Sequence, residues 1–265
     1  MRLNNARVLI TGASRGLGRS IAEVVAQRGA EVALVARNGE TLELLARELG
    51  GKAYPTDLTD PAAVGTLVER VEPDGPVDVL INNAGLDCVR LLPDVSAQEM
   101  RDLLQVNLLA PMELCRQLMP RMMGRGRGHI VNVSSMGAVS VSPGVTVYAT
   151  SKAGLSHFTA GIRAELRGKP VGTTLVQIGA VKTDMIDGIR KFGPARRAIE
   201  RSQRLHMLPR EDLEPEVVAN AIADAIEREK RYVTLPRRIA ASAILTELPR
   251  KMSAAMLVGI DMSAD

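Results

Sequence analysis

Short runs that predict β-strands, most of them rich in aliphatic residues, recur along the chain, and stretches with helical periodicity separate them. The runs cover residues 7–10, 31–36, 52–55, 77–81, 129–133, 171–178 and 231–235. Strands that are aliphatic at nearly every position are typical of a parallel sheet with helices packed on both of its faces. The sequence therefore predicts an α/β fold, a doubly wound parallel sheet of about seven strands.

The stretches between these runs predict the helices that cover the sheet. Their ranges are 19–28, 38–49, 97–123, 147–167, 194–206 and 215–229, and one more helix begins at Pro61. Proline is tolerated there because the first turn of a helix does not use that backbone N–H. No internal repeat or low-complexity linker divides the 265 residues, so we predict a single domain over residues 1–265.

Composition argues against several classes of protein. The net charge is only +4 and aromatic residues make up 2% of the chain, which is unlike a nucleic-acid-binding surface. No uninterrupted apolar run reaches about 18 residues, so we expect no transmembrane segment. Cys88 and Cys115 form neither a metal-binding pattern nor a disulfide framework. Because the chain also begins directly with a strand pattern, we expect a cytoplasmic protein without a bound metal.

A glycine-rich stretch joins the first strand to the first helix. It has the spacing GxxxGxG and consists of Gly12, Ser14, Arg15, Gly16, Leu17 and Gly18 around Ala13. Glycines at such a place allow a tight turn and a close approach of the backbone to a pyrophosphate on the helix N-terminus. The stretch therefore predicts a dinucleotide site in a Rossmann-type sheet.

The end of the second strand indicates which dinucleotide binds. NAD-binding sites of this kind have an acidic residue there for the ribose 2′-hydroxyl, whereas this chain has Arg37. Arg37 and Arg15 can pair with a 2′-phosphate, which a carboxylate would repel. NADP(H) is therefore the predicted cofactor and NAD(H) is less favoured. The alternative is that both arginines are solvated surface residues.

Tyr148 and Lys152 stand four residues apart and face the same way on a helix. A tyrosine with a pKa near 10 is a poor base at neutral pH, and a nearby ammonium favours the phenolate and lowers that pKa. Such a pair can act as an acid or a base near physiological pH. Alone, the YxxxK pattern is common by chance and also fits an ordinary surface pair.

The remaining motifs make the pattern specific. The glycine stretch, Asp57, the run from Asn82 to Gly85, Asn107, the pair Ser134-Ser135 and the Tyr–Lys pair occur in this order. On these motifs the chain resembles the short-chain dehydrogenase/reductase family, in its short single-domain branch. The resemblance is dense over residues 5–185 and loose elsewhere. It implies an NADP(H)-dependent oxidoreductase of the carbonyl reductase or alcohol dehydrogenase type, which interconverts a ketone or aldehyde and an alcohol.

The resemblance implies a role for each catalytic residue. Ser135, which lies 13 positions before Tyr148, would hydrogen-bond the substrate carbonyl, and Ser134 is the weaker candidate. Tyr148 would donate its proton to the carbonyl oxygen during reduction. Lys152 would lower the tyrosine pKa and bind the nicotinamide ribose. Asn107 would hold a water that relays protons to Lys152.

The resemblance also implies cofactor contacts outside the glycine stretch. Asp57 would hydrogen-bond the adenine with Leu58 beside it, and Asn83, Ala84 and Gly85 would line the cofactor after the fourth strand. Gly179, Val181 and Thr183 match the family pattern after the sixth strand, and the last two would meet the carboxamide. Ile178 stands where the family has proline, which leaves a free N–H in a less rigid turn.

Two segments are expected to select the substrate. In the family, the stretch that corresponds to residues 184–215 covers the substrate, and here it carries several arginines as well as Met185, Ile186, Ile189, Phe192 and Met207. The arginines could attract an anionic substrate or form a solvated helix face, and the apolar residues could line a pocket or pack in the core. The apolar tail 237–265 resembles tails of members that handle hydrophobic ketones, so a hydrophobic, acyl or lipid-like substrate is expected.

The tail and the long helices leave further possibilities open. An amphipathic tail can pack on the protein, join subunits or lie on a membrane surface, of which packing is favoured here. The resemblance also implies a homodimer or homotetramer built on helices 97–123 and 147–167. Two alternative functions are a catalytically silent NADP-binding regulator and a sugar-nucleotide epimerase. The intact Tyr, Lys, Ser and Asn set argues against the first, and the glycine spacing and short C-terminal part argue against the second.

Overall fold

Seven parallel strands form one sheet in the order β3-β2-β1-β4-β5-β6-β7. The computed structural model describes residues 1–204 and 211–236, together with Leu245, Leu248, Pro249 and Met252. The strands are β1 (Arg7–Thr11), β2 (Glu31–Ala36), β3 (Lys52–Pro55), β4 (Val79–Asn82), β5 (Gly128–Ser135), β6 (Val171–Ile178) and β7 (Tyr232–Leu235). The chain runs outward from β1 to β3 and then returns to place β4 beside β1. Ligands of such sheets bind at the carboxyl ends of the strands where the order reverses.

The helices of the described part of the chain connect these strands. They are α1 (Gly16–Gln27), α2 (Gly39–Glu48), α3 (Pro61–Val71), α4 (Ala97–Leu104), α5 (Ala110–Gly124), α6 (Thr146–Glu165), α7 (Asp184–Lys191), α8 (Gly193–Arg204) and α9 (Pro215–Glu227). A π-helical turn, Gln105–Leu109, joins α4 to α5. The expected doubly wound fold of about seven strands is confirmed.

Polar residues define where several helices begin. The side chain of Asn38 accepts a hydrogen bond from the Thr41 amide before α2, and that of Asp60 accepts one from Ala62 before α3. Ser96 and Glu99 form a reciprocal capping box at the start of α4. Each bond satisfies a backbone N–H that has no partner within the helix, so the local sequence fixes these starts.

Two apolar clusters occupy the two faces of the sheet. One cluster includes Val8 and Ile10 of β1 and packs them against buried residues of α1, α2 and α9. The other includes Leu9 of β1 and packs it against α3, α5 and α6. Successive residues of a strand point to opposite faces, so β1 contributes to both clusters and is buried throughout.

Arg7 organises the amino edge of the sheet, at the start of β1. Its side chain is buried and donates to the Val71 carbonyl at 2.8 Å and to the Tyr54 hydroxyl at 2.7 Å. Its backbone N–H donates to the Asp78 carboxylate at 3.0 Å, and Arg127 forms a bidentate pair with the same carboxylate. One network of charged groups therefore joins β1, α3, β3 and the starts of β4 and β5.

The structure corrects two predictions about helices. The range 97–123 was expected to form one continuous helix, but the π-helical turn around Asn107 interrupts it. Helix α7 was not predicted, because only part of its eight residues is apolar. The predicted end of α8 at residue 206 and nearly all of the tail 237–265 lie outside the described residues.

Three other expectations can be compared with the described part of the chain. No helix there is long and apolar enough to cross a membrane. Cys88 is half-buried and Cys115 is buried, and both are free thiols. Among the same residues, no group of three or more His, Cys, Asp or Glu side chains is arranged to hold a metal ion.

Candidate active site

The glycine stretch forms a tight loop at the carboxyl end of β1. Gly12 has a φ of +70°, and a Cβ there would stand 2.8 Å from the Ala84 Cα. A Cβ on Gly18 would stand 2.0 Å from the Gly12 carbonyl oxygen. Side chains are therefore excluded at both positions, since one requires a left-handed backbone and the other lies against the turn before it.

Thr11 ties this loop to the end of β4. Its hydroxyl accepts hydrogen bonds from the amides of Asn83 and Ala84, each at 3.1 Å. The side-chain amide of Asn83 in return donates to the Thr11 carbonyl at 3.0 Å. The two loops that were expected to line the cofactor are thus one hydrogen-bonded unit between β1 and β4.

The N-terminus of α1 fits an anionic group such as a pyrophosphate. Arg15 occupies the N-cap position without a side-chain hydrogen bond to the helix, and no acidic residue stands in the first turn. The first N–H groups and the positive end of the helix dipole therefore face the loop without a capping carboxylate. The twelve residues of α1 make this a full-length helix.

Arg37 and Asp57 lie near each other at the carboxyl ends of β2 and β3. Asp57 accepts hydrogen bonds from the backbone N–H and the hydroxyl of Thr59, and these bonds together with the Arg37 charge lower its pKa. Arg37 is exposed, and Leu58 is buried beside Asp57. The pair forms a polar rim beyond the glycine loop, and Arg37 gives it an exposed positive charge.

Ser135 ends β5, and Tyr148 stands in the first turns of α6. The Ser135 hydroxyl accepts a hydrogen bond from the Gly137 amide at 3.0 Å and also bonds to the Tyr148 hydroxyl. A Cβ on Gly137 would lie 3.4 Å from that serine oxygen and 3.6 Å from the Tyr148 ring, so the turn leaves room for both side chains. The adjacent Ser134 is buried and donates to the Lys152 carbonyl, so it has a structural partner.

Lys152 lies one turn after Tyr148, and its side chain is buried. Its ammonium is 5.9 Å from the centre of the Tyr148 ring and donates to the Val133 carbonyl at 2.9 Å. Burial lowers the pKa of Lys152 to about 8 because it disfavours the charged form. The lysine therefore changes charge within the pH range of ordinary enzyme assays.

The pKa of Tyr148 differs in direction from the sequence-based expectation. Burial has the largest effect and raises this pKa, the Asp87 carboxylate raises it further, and only the Ser135 hydrogen bond acts to lower it. Desolvation disfavours the phenolate as it disfavours the ammonium of Lys152. In this structure the tyrosine is therefore held in its protonated, proton-donating form.

Asn107 is fully buried in the π-helical turn, and its side chain clamps the loop after β4. Its Oδ1 accepts from the Leu86 amide at 2.8 Å, and its Nδ2 donates to the Leu86 carbonyl at 2.9 Å and to the Ser151 hydroxyl at 3.0 Å. Both N–H groups are thereby used. The side chain joins the loop of Gly85 to α6, and a Cβ on Gly85 would lie 3.6 Å from the Lys152 ammonium.

The segment after β6 closes the site from the other side. The Gly179 amide donates to the Leu235 carbonyl at 2.8 Å, Val181 is buried and pairs with Leu213, and Thr183 precedes α7. A Cβ on Gly16 would lie 3.3 Å from the Thr183 Cγ2. The structure therefore brings the end of β6 against the glycine loop, as the predicted contacts require.

The substrate-covering segment forms α7 and α8 in its described part. Phe192, between the two helices, lies against Gly144, where a Cβ would stand 2.6 Å from its ring. The Gly144 carbonyl accepts from the Arg90 amide at 3.0 Å. The loop after β4 and the loop before α6 thus contact the substrate-covering segment near Phe192. Met207 and Arg210 of this segment lie outside the described residues.

Three residues of this site were not selected from the sequence. Thr11 bridges the two loops, Ser151 connects Asn107 to α6, and Asp87 places a carboxylate near Tyr148. Thr11 and Ser151 each stand next to a selected residue, but their side-chain partners come from distant parts of the chain. Asp87 stands two positions after Gly85, so its place in a loop expected to line the cofactor is the signal that could have selected it.

Comparison with known proteins gives a consistent set of matches. The family model described as short chain dehydrogenase matches residues 6–192. The chain is 32% identical over 241 residues to the 3-oxoacyl-(acyl-carrier-protein) reductase FabG of Escherichia coli (strain K12), covering 88% of this chain and 95% of that protein. It is 37% identical over 238 residues to the ketoacyl reductase HetN of Nostoc sp. (strain PCC 7120), covering 87% and 78% respectively.

A solved structure supports the same conclusion. The short-chain dehydrogenase from Sphingobium yanoikuyae in complex with NADPH superimposes with a TM-score of 0.78 at 27% sequence identity. The match covers 98% of this chain and 99% of that one. The shared architecture thus extends over the glycine loop, the tyrosine helix and the segment after β6.

Proposed function

Because the chain belongs to the short-chain dehydrogenase/reductase family of oxidoreductases, we propose that it is an NADP(H)-dependent enzyme that interconverts a ketone or aldehyde and an alcohol. One observation carries this proposal: Ser135, Tyr148 and Lys152 converge at the carboxyl edge of the sheet, beside the loop made by Gly12 and Gly18. For this reaction the hydride donor, the proton donor and the carbonyl group must lie next to one another, and this edge of the sheet can bring them together.

The nicotinamide, when bound, would supply the hydride for reduction or accept it in the reverse reaction. The protein's own groups then handle the proton. Tyr148 is held protonated by burial, so its hydroxyl can donate to the carbonyl oxygen as negative charge develops there. The Ser135 hydroxyl, which already bonds to that phenol, would donate a second hydrogen bond to the same oxygen.

Lys152 would act on both the tyrosine and the cofactor. Its ammonium lies close to the Tyr148 ring and is fixed by the Val133 carbonyl. When Tyr148 has lost its proton, this charge stabilises the phenolate until a proton returns. Asn107 donates its two side-chain N–H groups to Leu86 and Ser151. We therefore propose that Asn107 positions the loop of Gly85 relative to α6. Protons would reach Lys152 through a water held nearby.

The preference for NADP(H) rests on Arg37 and Arg15. Arg37 is exposed at the end of β2 and carries positive charge beside Asp57. Arg15 stands in the glycine loop before α1. Two guanidinium groups at these positions would pair with a 2′-phosphate. The solved relative from Sphingobium yanoikuyae binds NADPH, which agrees with this assignment.

The substrate is proposed to be a 3-oxoacyl or similarly hydrophobic ketone. Relatives that are 32% and 37% identical are ketoacyl reductases by name. In this chain the candidate cover carries Phe192 against Gly144, and its apolar residues Ile186 and Ile189 are half-buried. An apolar cover of this kind favours a substrate with a hydrocarbon part next to the reacting carbonyl.

Self-association is proposed to use the helices next to the site. Leu109 of the π-helical turn and Met112 of α5 are exposed apolar side chains about one turn apart, and Met100 of α4 is a third in the same stretch of chain. Exposed apolar residues grouped in this way are typical of interfaces between subunits. A homodimer or homotetramer is therefore expected, and size-exclusion chromatography with light scattering would distinguish these from a monomer.

The proposed function is tested by following NADPH oxidation with purified protein. A 3-oxoacyl thioester, an aryl ketone and an aldehyde would be compared, each with NADPH and with NADH. We expect reduction of at least the thioester or the aryl ketone, with NADPH preferred. Cofactor binding without turnover of any of the three would contradict the proposal and favour a silent regulator.

A further inference from the structure

Asp87 is a carboxylate at the mouth of the candidate active site. It follows Leu86, whose backbone is fixed on both sides by Asn107. Its position is therefore set by the clamp that also orders the loop of Gly85. The residue is half-buried.

Three different elements surround this carboxylate. Tyr148 of α6 is close enough for the Asp87 charge to raise the tyrosine pKa, and Arg15 of the glycine loop is close enough to lower that of Asp87. On the third side, α7 presents Gly188, where a Cβ would lie 3.9 Å from the Asp87 Oδ2. A glycine at that point keeps the space in front of the carboxylate open.

The Asp87 carboxylate accepts a hydrogen bond from its own backbone N–H. In the part of the chain that the structure describes, no side chain of another residue hydrogen-bonds to it or forms an ion pair with it. Burial nevertheless raises its pKa, since the cost of burying the charge outweighs that bond and the Arg15 charge, which both act to lower it. A donor group brought by a ligand would remove this cost.

We propose that Asp87 is a specificity-determining residue, which accepts a hydrogen bond from a hydroxyl or amino group of the substrate next to the carbonyl that Tyr148 protonates. The inference rests on the proposed function, because it assumes that a carbonyl compound binds beside Tyr148. It adds a chemical feature to that substrate: besides its hydrophobic part, the molecule carries a hydrogen-bond donor on the side that faces α7.

The test compares 2-hydroxyacetophenone with 2-methoxyacetophenone in NADPH-dependent reduction. Both substituents withdraw electrons from the carbonyl in the same way, but only the hydroxyl donates a hydrogen bond. A bond from a substrate hydroxyl to a carboxylate should favour the hydroxyketone by about tenfold in kcat/KM. Asp87→Ala should reduce this ratio to about one, and Asp87→Asn, which keeps an acceptor oxygen, should restore part of it.

A second readout separates recognition from a structural effect. Arg15, Tyr148 and the neighbouring Cys88 interact electrostatically with Asp87, and Arg90, Glu99 and Asp102 line a cleft together with it. Asp87→Asn removes the negative charge near Tyr148, so the ionisation in kcat/KM that belongs to the tyrosine should shift to lower pH. Asp94→Asn, in an exposed turn of the same loop, is the matched control and should change neither the ratio nor the pH profile.

The outcomes distinguish this inference from the function on which it rests. Equal kcat/KM for the two ketones in the wild type, or an unchanged ratio in Asp87→Ala, would overturn the role of Asp87 alone. A weaker binding of NADPH by Asp87→Asn without any change of the ratio would assign the residue to the cofactor and also overturn it. If NADPH were oxidised with neither of the two ketones nor with a 3-oxoacyl thioester, the proposed function itself would be overturned.

Discussion

The ammonium of Lys152 lies 5.9 Å from the centre of the Tyr148 ring, the lysine side chain is buried, and the tyrosine is half-buried. We predict that Tyr148→Phe lowers kcat for ketone reduction by roughly a thousandfold, because it removes the proton donor and leaves the ring in place. Binding of NADPH, followed by the fluorescence of the bound cofactor, should stay within a few-fold of the wild type. Retention of activity in this variant would contradict the mechanism.

The direction of the Tyr148 pKa shift predicts how the reaction depends on pH. Because burial raises this pKa, the phenol needed for reduction should persist into alkaline buffer, although the Lys152 charge is lost near pH 8, and alcohol oxidation, which needs the phenolate, should increase with pH. Ser135→Ala should move both transitions to still higher pH, since the serine hydrogen bond acts to lower the pKa. Profiles of kcat/KM in both directions measure this, and a downward shift in Ser135→Ala would contradict it.

The cofactor assignment predicts a selective effect at the end of β2. Arg37→Asp should weaken NADPH by about a hundredfold and leave NADH nearly unchanged, because the new carboxylate repels only the 2′-phosphate. Dissociation constants of both cofactors, measured by fluorescence titration, check this. Arg47→Asp reverses an exposed charge at the end of α2 and should affect neither cofactor. An equal loss for NADPH and NADH in Arg37→Asp would mean that Arg37 does not contact the phosphate.

The clamp formed by Asn107 predicts a combined loss of stability and activity. Asn107→Ala removes three hydrogen bonds and leaves the N–H and carbonyl of Leu86 without their side-chain partner, which should cost about 3 kcal/mol. Urea denaturation would measure the free energy of unfolding. Gln105→Ala, in the same π-helical turn but with a half-buried side chain, is the control and should cost much less. Full activity of Asn107→Ala would show that the loop of Gly85 is ordered by other contacts.

We predict that His129 makes the free energy of unfolding decrease at acidic pH. It is buried in β5 with its Nε2 2.8 Å from the Thr174 hydroxyl, and burial lowers its pKa from 6.5 to about 4. Between about pH 6.5 and about pH 4 the histidine therefore binds a proton in the unfolded chain but not in the folded chain. The free energy of unfolding falls as the pH drops through this range, by at most about 3 kcal/mol.

Unfolding curves across this pH range would test the role of His129. His129→Gln should remove this part of the pH dependence even if the variant is less stable at neutral pH. His157→Gln replaces an exposed histidine of α6 and should leave the slope unchanged. The same slope in the wild type and in His129→Gln would contradict the assignment.

Much of the fold was predictable because its signals are local. Aliphatic runs located the strands, and the glycine loop follows β1 directly, so its place at the carboxyl edge was implied by the order of elements. The family pattern also selected Ser135, Tyr148 and Lys152, which the fold brings together. The assigned roles of these residues stay predictions until they are tested.

What could not be predicted depends on contacts between distant parts of the chain. The π-helical turn has the apolar periodicity of an ordinary helix, and its break follows from the bonds of Asn107 to Leu86 and Ser151. The raised pKa of Tyr148 reflects burial under surrounding elements, which spacing along the chain does not reveal. The proposed role of Asp87 depends on its proximity to Gly188 and Tyr148, which are far from it in sequence.

Arg7 and Asp78 form their charged network at the amino edge of the sheet, whereas the candidate active site lies at the carboxyl edge. This charged network is thus spatially separate from the candidate active site. Loops around Asp87 and α7 can accumulate changes without loosening that network. Because of this separation, residues at the carboxyl edge can be replaced during evolution while the network at the amino edge keeps the architecture.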